Sequence, residues 1–277
     1  MKKSTSFLDR LFVIFCTLST VVLIFSVSTI IIYLVIHGWR SIGTELVFGD
    51  TNPLDAILFK KRVFDGIFPA IIGTLALIFL SLIIALPLGL STGIYLSEYA
   101  GKRLKYNVGL MVDILAGIPS IVIGLFGFSI TVFLHGMFPD RIYPCLAISA
   151  VALSFLVLPY IIKSTQVSLQ SIPSQVRLTG ISLGADKFQN LIHVLLPAAT
   201  ADIVSGMVLA MGRCAEDTAV IMLTGVVATA GVPKSLFSSF EALPFYIYYT
   251  ASEYSDLAEL ERAHGAALVL LFICFVL

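Results

Sequence analysis

The sequence predicts an all-α, polytopic membrane protein with six transmembrane helices, and three observations carry that expectation. Only 12% of the 277 residues are charged and 58% are hydrophobic, whereas soluble domains carry about 25% charged residues. Mean hydropathy is +1.01. The apolar residues are gathered into uncharged runs, several of which reach the roughly 20 residues that a helix needs to cross the hydrocarbon core. The 17 basic and 17 acidic residues cancel, so no nucleic-acid partner is indicated. Cys16, Cys145, Cys214 and Cys274 are scattered in apolar runs without CxxC spacing, and His37, His135, His193 and His264 are isolated too. No metal site, cofactor or disulfide framework is therefore expected.

Residues 11–36 carry no charge and form the first span. Lys2, Lys3 and Arg10 precede it, as in a signal peptide. The apolar run is too long for one and lacks a clear small-residue cleavage site, so it reads as an uncleaved helix. Residues 66–97 form the second span, broken by Pro87; 114–134 form the third, with Pro119 near its start; 142–162 form the fourth. The prolines read as packing kinks, or as breaks lining a cavity. The fifth span, 198–228, contains charges. The sixth, 263–277, has 15 residues. At 1.5 Å per residue it reaches about 22 Å, against a core of about 30 Å. It reads as a short helix or as a span continued past residue 277.

Loop charges set the orientation. The N-terminus and the loops 98–113 and 163–197 hold nine Lys/Arg against four acids; the loops 37–65, 135–141 and 229–262 hold seven against ten. The first set, and with it the N-terminus, is expected in the cytoplasm. Lys60, Lys61 and Arg62 run against the trend, as a solvated cluster or as a basic lip that attracts anions. Glu98 and Asp113, flanking a cytoplasmic loop, read as solvated.

The stretch GRCAEDTAV (212–220) places Arg213, Glu216 and Asp217 inside the fifth apolar run. On one continuous helix, with Arg213 at zero, Asp202 falls at about −20°, Gly206 at about +20°, Glu216 at about −60°, Asp217 at about +40°, Val220 at about −20° and Thr224 at about +20°. The polar residues then share one face, with Val220 as its apolar exception. Val204, Met211 and Met222 take the opposite face. A charge at mid-membrane costs about 3 kcal/mol unless it faces protein or water. Arg213 therefore reads either as a cation on a translocation path or as half of an internal ion pair with Asp217. With both acids ionised the cluster is net negative. An anion path there needs one acid protonated or a cation supplied by a partner.

Between spans four and five, KSTQVSLQSIPSQVRLTGISLGADKFQNLIHVLLP (163–197) is too polar to span. Its apolar spacing predicts short helices, with Ser171 or Ser174 as cap, Gly184 as punctuation and Pro197 closing the run. They lie at the interface or form a knob that docks into a cytoplasmic partner.

The run G-x9-V-x-L-P from Gly184 to Pro197 resembles the cytoplasmic coupling loop of ABC importer permeases. Leu178-Thr179-Gly180 stands where that pattern begins with Glu-Ala-Ala. GIFPAIIGTL (66–75), ALPLGLSTGIYLSEYAG (85–101), LAGIPSIVIGLFG (115–127) and LPFYIYYTA (243–251) are similar to permease subunits of phosphate-specific (Pst) importers, PstA type. GRCAEDT resembles that family's Gly-Arg-x-x-Gly-Glu-Thr, with Glu216 in place of a glycine.

The resemblance implies a type I ABC importer permease fold. Residues 1–65 would be a first span with an external loop, and residues 66–277 the transmembrane permease domain with its coupling loop. It implies a multi-pass subunit of the cytoplasmic (inner) membrane that pairs with a second, different permease. A dimeric ATP-binding subunit would drive it, and a periplasmic or surface phosphate-binding protein would supply it. It assigns the substrate pathway to Arg213, Glu216, Asp217 and Thr218, and ATPase coupling to Arg177, Gly184, Asp186 and Pro197. No GxxxxGK[ST] phosphate-binding loop occurs in the chain, so no enzymatic activity is expected of it and ATP is hydrolysed elsewhere. A permease for tungstate, molybdate or sulfate, and a phosphate-sensing scaffold without flux, are the alternatives.

Overall fold

The computed structural model describes residues 7–58, 60, 63, 65–138 and 143–277. Lys2, Lys3, Lys61, Arg62, Asp140 and Arg141, which entered the charge count, lie outside the described residues. Among the described residues the long elements are helices: α1 (Phe7–Gly38), α2 (Phe68–Glu98), α3 (Lys102–Ala116), α4 (Ser120–Met137), α5 (Leu146–Ser171), α6 (Ser174–Ser182), α7 (Lys187–Glu216), α8 (Thr218–Thr224), α9 (Leu243–Glu253) and α10 (Leu257–Val276). Five of them, α1, α2, α4, α5 and α7, are long and apolar enough to cross a membrane.

The expected sixth span corresponds to α10, which is not the short helix that its apolar run suggests. It begins at Leu257, where Asp256 accepts a hydrogen bond from the Glu259 N–H at 2.9 Å. Its 20 residues reach about 30 Å. Glu259, Glu261 and Arg262 occupy its first turns, which is why a count of uncharged residues misses them.

α5 is the centre of the bundle, with α2, α4 and α7 packed on it. Small residues make this possible, because apolar burial gives no advantage over lipid and close backbone approach must supply the attraction. A Cβ on Gly89 would lie 2.6 Å from Ile161, and one on Gly93 2.7 Å from Thr165. This GxxxG seam joins α2 to α5. Gly206 lies against the Ser164 side chain and joins α7 to α5. Two buried hydroxyls of α2 are satisfied within their own helix: Thr74 donates to the Ala70 carbonyl and Ser81 to the Leu77 carbonyl, both at 2.7 Å. α1 stands apart, with none of its apolar stretch buried. It meets α10 near its end, where Tyr33, His37 and His264 cluster with ring centroids 4.2 to 5.7 Å apart.

The loop between spans four and five departs from expectation in two ways. Neither serine caps α6: its N-cap is Pro173, without a side-chain bond, and Ser171 turns back to the Ser168 carbonyl at 2.8 Å. Pro197 closes nothing, because α7 runs through it. The ring would crowd the carbonyl four residues back, that of His193. The helix widens to a π-turn over Leu191–Leu195, just before the proline, as such insertions do in long helices.

The fifth span is not one helix either. α7 ends at Glu216, Asp217 adopts an extended conformation (φ −78°, ψ 109°), and α8 starts at Thr218. After α8 the chain folds back as an irregular segment. Its carbonyls at Thr224, Leu236 and Ser238 accept hydrogen bonds from the N–H groups of Cys145, Ala147 and Leu146 at the start of α5, and Phe240 is fully buried. The start of α5 thus has its free N–H groups met by protein.

Candidate functional site

The break between α7 and α8 brings the charged stretch together differently from a helical wheel. Arg213 lies in the last turn of α7, where a cation suits the helix dipole. Its Nη1 is 2.7 Å from Glu216 Oε1, and its Nη2 is 3.8 Å from Asp217 Oδ2. The nearer partner is therefore Glu216, not Asp217. The two acids also differ in freedom. The Glu216 side chain is 58% exposed, whereas that of Asp217 is 3% exposed. Asp217 Oδ1 accepts the Val220 N–H at 2.9 Å and caps α8. Asp217 is thus held by the backbone, while Glu216 can rotate away. Arg213 Nε is buried without a hydrogen-bond partner.

Cys214 and Ala215 are buried with Ala210 in the core against α2 and α5 and hold the end of α7 in place. Thr218, the first residue of α8, is half-buried beside the break. Thr224 does not share the charged face. It is buried; its hydroxyl donates to the Val220 carbonyl at 2.8 Å and lies 2.9 Å from Ser149 Oγ. Val220 is buried as well, and Asp202 is exposed farther back on α7. The continuous-helix reading fails because Asp217 resets the helix phase.

The loop between spans four and five forms a second site. Arg177, on α6, grips Glu98 with both arms of its guanidinium: Nη1 to Oε2 at 2.8 Å and Nη2 to Oε1 at 2.9 Å. Nη2 also donates to the Leu169 carbonyl. Glu98 is therefore not solvated, and the sequence offers no local sign of a contact 79 positions apart. Asp113 is also paired, with Lys163 at 2.8 Å, but both side chains are exposed, so the pair contributes little.

Gly184 has φ +86°, the left-handed conformation with which helices commonly end. Asp186 and Gln189 form a reciprocal capping box at the start of α7, at 2.7 and 3.1 Å. Gly184 and Asp186 thus shape the loop, whereas Pro197 lies inside α7; Leu183, Phe188, Leu178 and Ile181 expose apolar surface on the loop, Leu183 to 85%.

Known proteins resemble this chain in sequence and in fold. The chain is similar to phosphate transport system permease protein PstA 1 of Mycobacterium tuberculosis (strain ATCC 25618 / H37Rv), with 32% identity over 225 residues that cover 80% of this chain and 70% of that protein. It is 29% identical over 244 residues to phosphate transport system permease protein PstA of Xylella fastidiosa (strain 9a5c), covering 88% and 80%. Its fold is similar to that of a bacterial alginate ABC transporter in complex with an alginate pentasaccharide-bound periplasmic protein, at TM-score 0.65, 18% identity and coverage of 97% and 92%. The family model for the binding-protein-dependent transport system inner membrane component matches residues 85–277, from the middle of α2 through the loop and the broken helix into α10, and the chain belongs to that family.

Proposed function

We propose that the chain is one of two different permease subunits of an importer that carries inorganic phosphate across the cytoplasmic membrane. A separate dimeric ATPase drives it, and an external binding protein delivers phosphate. In this reading residues 66–277 form the permease body, residues 1–65 the first span and an external loop, and the N-terminus lies in the cytoplasm. Phosphate as cargo is supported by the similar PstA proteins, which are named for phosphate transport.

The observation that carries the reading is the cation at the helix break. Arg213 is flanked by one fixed acid and one exposed, rotatable acid. A guanidinium fork matches pairs of phosphate oxygens. Glu216 now occupies part of that fork. Phosphate enters as Glu216 turns out to water, and the returning carboxylate helps to expel it. A path that must release its cargo needs such weak holding. Asp217 keeps Arg213 oriented and ties the two half-helices together. On the cytoplasmic side, Leu183 and Phe188 seat the loop in a groove of the ATPase.

The test is uptake of labelled phosphate by the purified complex in proteoliposomes supplied with ATP. Uptake should be suppressed by excess unlabelled phosphate and not by sulfate, molybdate or tungstate. Stronger suppression by one of those oxyanions assigns a different cargo, and an assembled, ATP-hydrolysing complex without uptake identifies a scaffold.

A further inference from the structure

We propose that Arg177 and Glu98 form a clamp that fastens the cytoplasmic loop to α2 and α5, so that a push on the loop is delivered to the translocation helices. The proposal rests on the importer reading above, and it makes Arg177 a positioning residue that does not contact the ATPase. One guanidinium joins three elements. It belongs to α6, it holds both carboxylate oxygens of the last residue of α2, and it donates to a carbonyl in the last turns of α5. The pair is largely withdrawn from solvent, with 27% of the Arg177 side chain and 14% of the Glu98 side chain exposed. Ser97 Oγ donates to Glu98 Oε1 at 2.7 Å and fixes the carboxylate.

The loop is locked from its other end as well. Asn190, at the start of α7 and 5% exposed, donates its amide to the Arg177 carbonyl at 3.1 Å. Gly180 lies so close to Asn190 that a Cβ there would collide with the amide oxygen. α6 and the start of α7 thus form one body, with polar anchors inside and Leu183 and Phe188 exposed. From Glu98, α2 runs to Phe68 along the Gly89–Gly93 seam with α5. α5 in turn contacts α7 at Ser164 and Gly206, and α7 carries Arg213. A planar, bidentate fork transmits direction as well as attraction, which a lysine at this position would not.

The experiment uses the complex purified with its ATPase and reconstituted, and reads phosphate taken up per ATP hydrolysed. Arg177→Glu and Glu98→Arg should each retain the ATPase and its hydrolysis while uptake per ATP falls by roughly tenfold. The double exchange should restore most of it. If a single variant does not assemble, Arg177→Lys, which keeps the charge without the fork, should show the same uncoupling in milder form. The proposal is overturned by unchanged coupling in the variants, by loss of the ATPase subunit from an otherwise assembled single variant, which makes Arg177 a docking contact, or by a double exchange as uncoupled as the singles. A wild-type complex that hydrolyses ATP without taking up phosphate overturns the importer reading, and the clamp with it; a fully active wild type with fully coupled variants overturns the clamp alone.

Discussion

Glu216 and Asp217 are neighbours in sequence with opposite tasks, and substitutions separate them. In the proposed path Glu216 competes with the cargo for Arg213 through an exposed ion pair, a contact worth about 0.2–1 kcal/mol. Glu216→Gln should therefore lower the phosphate concentration at half-maximal uptake by about 1.5- to fivefold, read from uptake against external phosphate. An unchanged or raised concentration removes Glu216 from the competition. Asp217 holds α8 by its cap, and loss of such a cap costs about 1 kcal/mol. Asp217→Ala should lower the melting temperature of the purified complex, and Asp217→Asn, which keeps an accepting oxygen, should lower it less. Equal effects of both mean that charge and not capping matters there. The cap also makes an Arg213–Asp217 exchange uninformative, because an arginine at 217 cannot accept the Val220 N–H. Arg213, Glu216 and Asp217 stand out in the sequence because charges are rare in apolar runs. Their division of labour does not, since the break that creates it is set by one extended residue. The signal was present in outline: aspartate is a preferred N-cap residue, yet unbroken hydropathy across 198–228 argued for a single helix.

Single elements show which physical signals travel through sequence. The spans are legible because about 20 apolar residues suffice to cross a bilayer, and the end of α6 is legible because Gly184 marks it. The start of α10 was hidden by its charges, although Asp256 and Glu259 have the capping-box spacing. The π-turn before Pro197 and the Arg177–Glu98 contact depend on tertiary packing, so no local pattern reports them. The α2–α5 seam yields a direct test. Gly89→Val places atoms where Ile161 already lies, and overpacking of this kind costs about 1–3 kcal/mol. The thermal stability of the complex should fall accordingly, while an alanine at exposed Gly136 should leave it unchanged. The loop yields another. Leu183→Asp combined with Phe188→Asp should remove the ATPase from the purified complex without reducing membrane insertion. Retention of the ATPase places its docking surface elsewhere.

The described residues form a bundle centred on α5, with a polar break between α7 and α8 and a loop held to α2 by the Arg177–Glu98 pair. Its orientation can be checked on a background lacking Cys16 and Cys274. Cysteine at the exposed position of Leu104 should be labelled only from the cytoplasm, and cysteine at the exposed position of Phe237 only from outside, because three spans separate them. Labelling of both from one side contradicts the six-span arrangement. Charge counting suggests this orientation, whereas the assembly rests on faces that sequence alone leaves unassigned, such as the exposed apolar stretch of α1. The proposed function turns on the guanidinium at the break, and ATP-driven phosphate uptake by Arg213→Gln in proteoliposomes, measured beside the amount of assembled complex, examines it without intermediaries. Uptake should be abolished with the complex present at wild-type level; near-normal uptake, or loss of the complex itself, would show that Arg213 is an internal ion-pair partner and that phosphate does not pass by it.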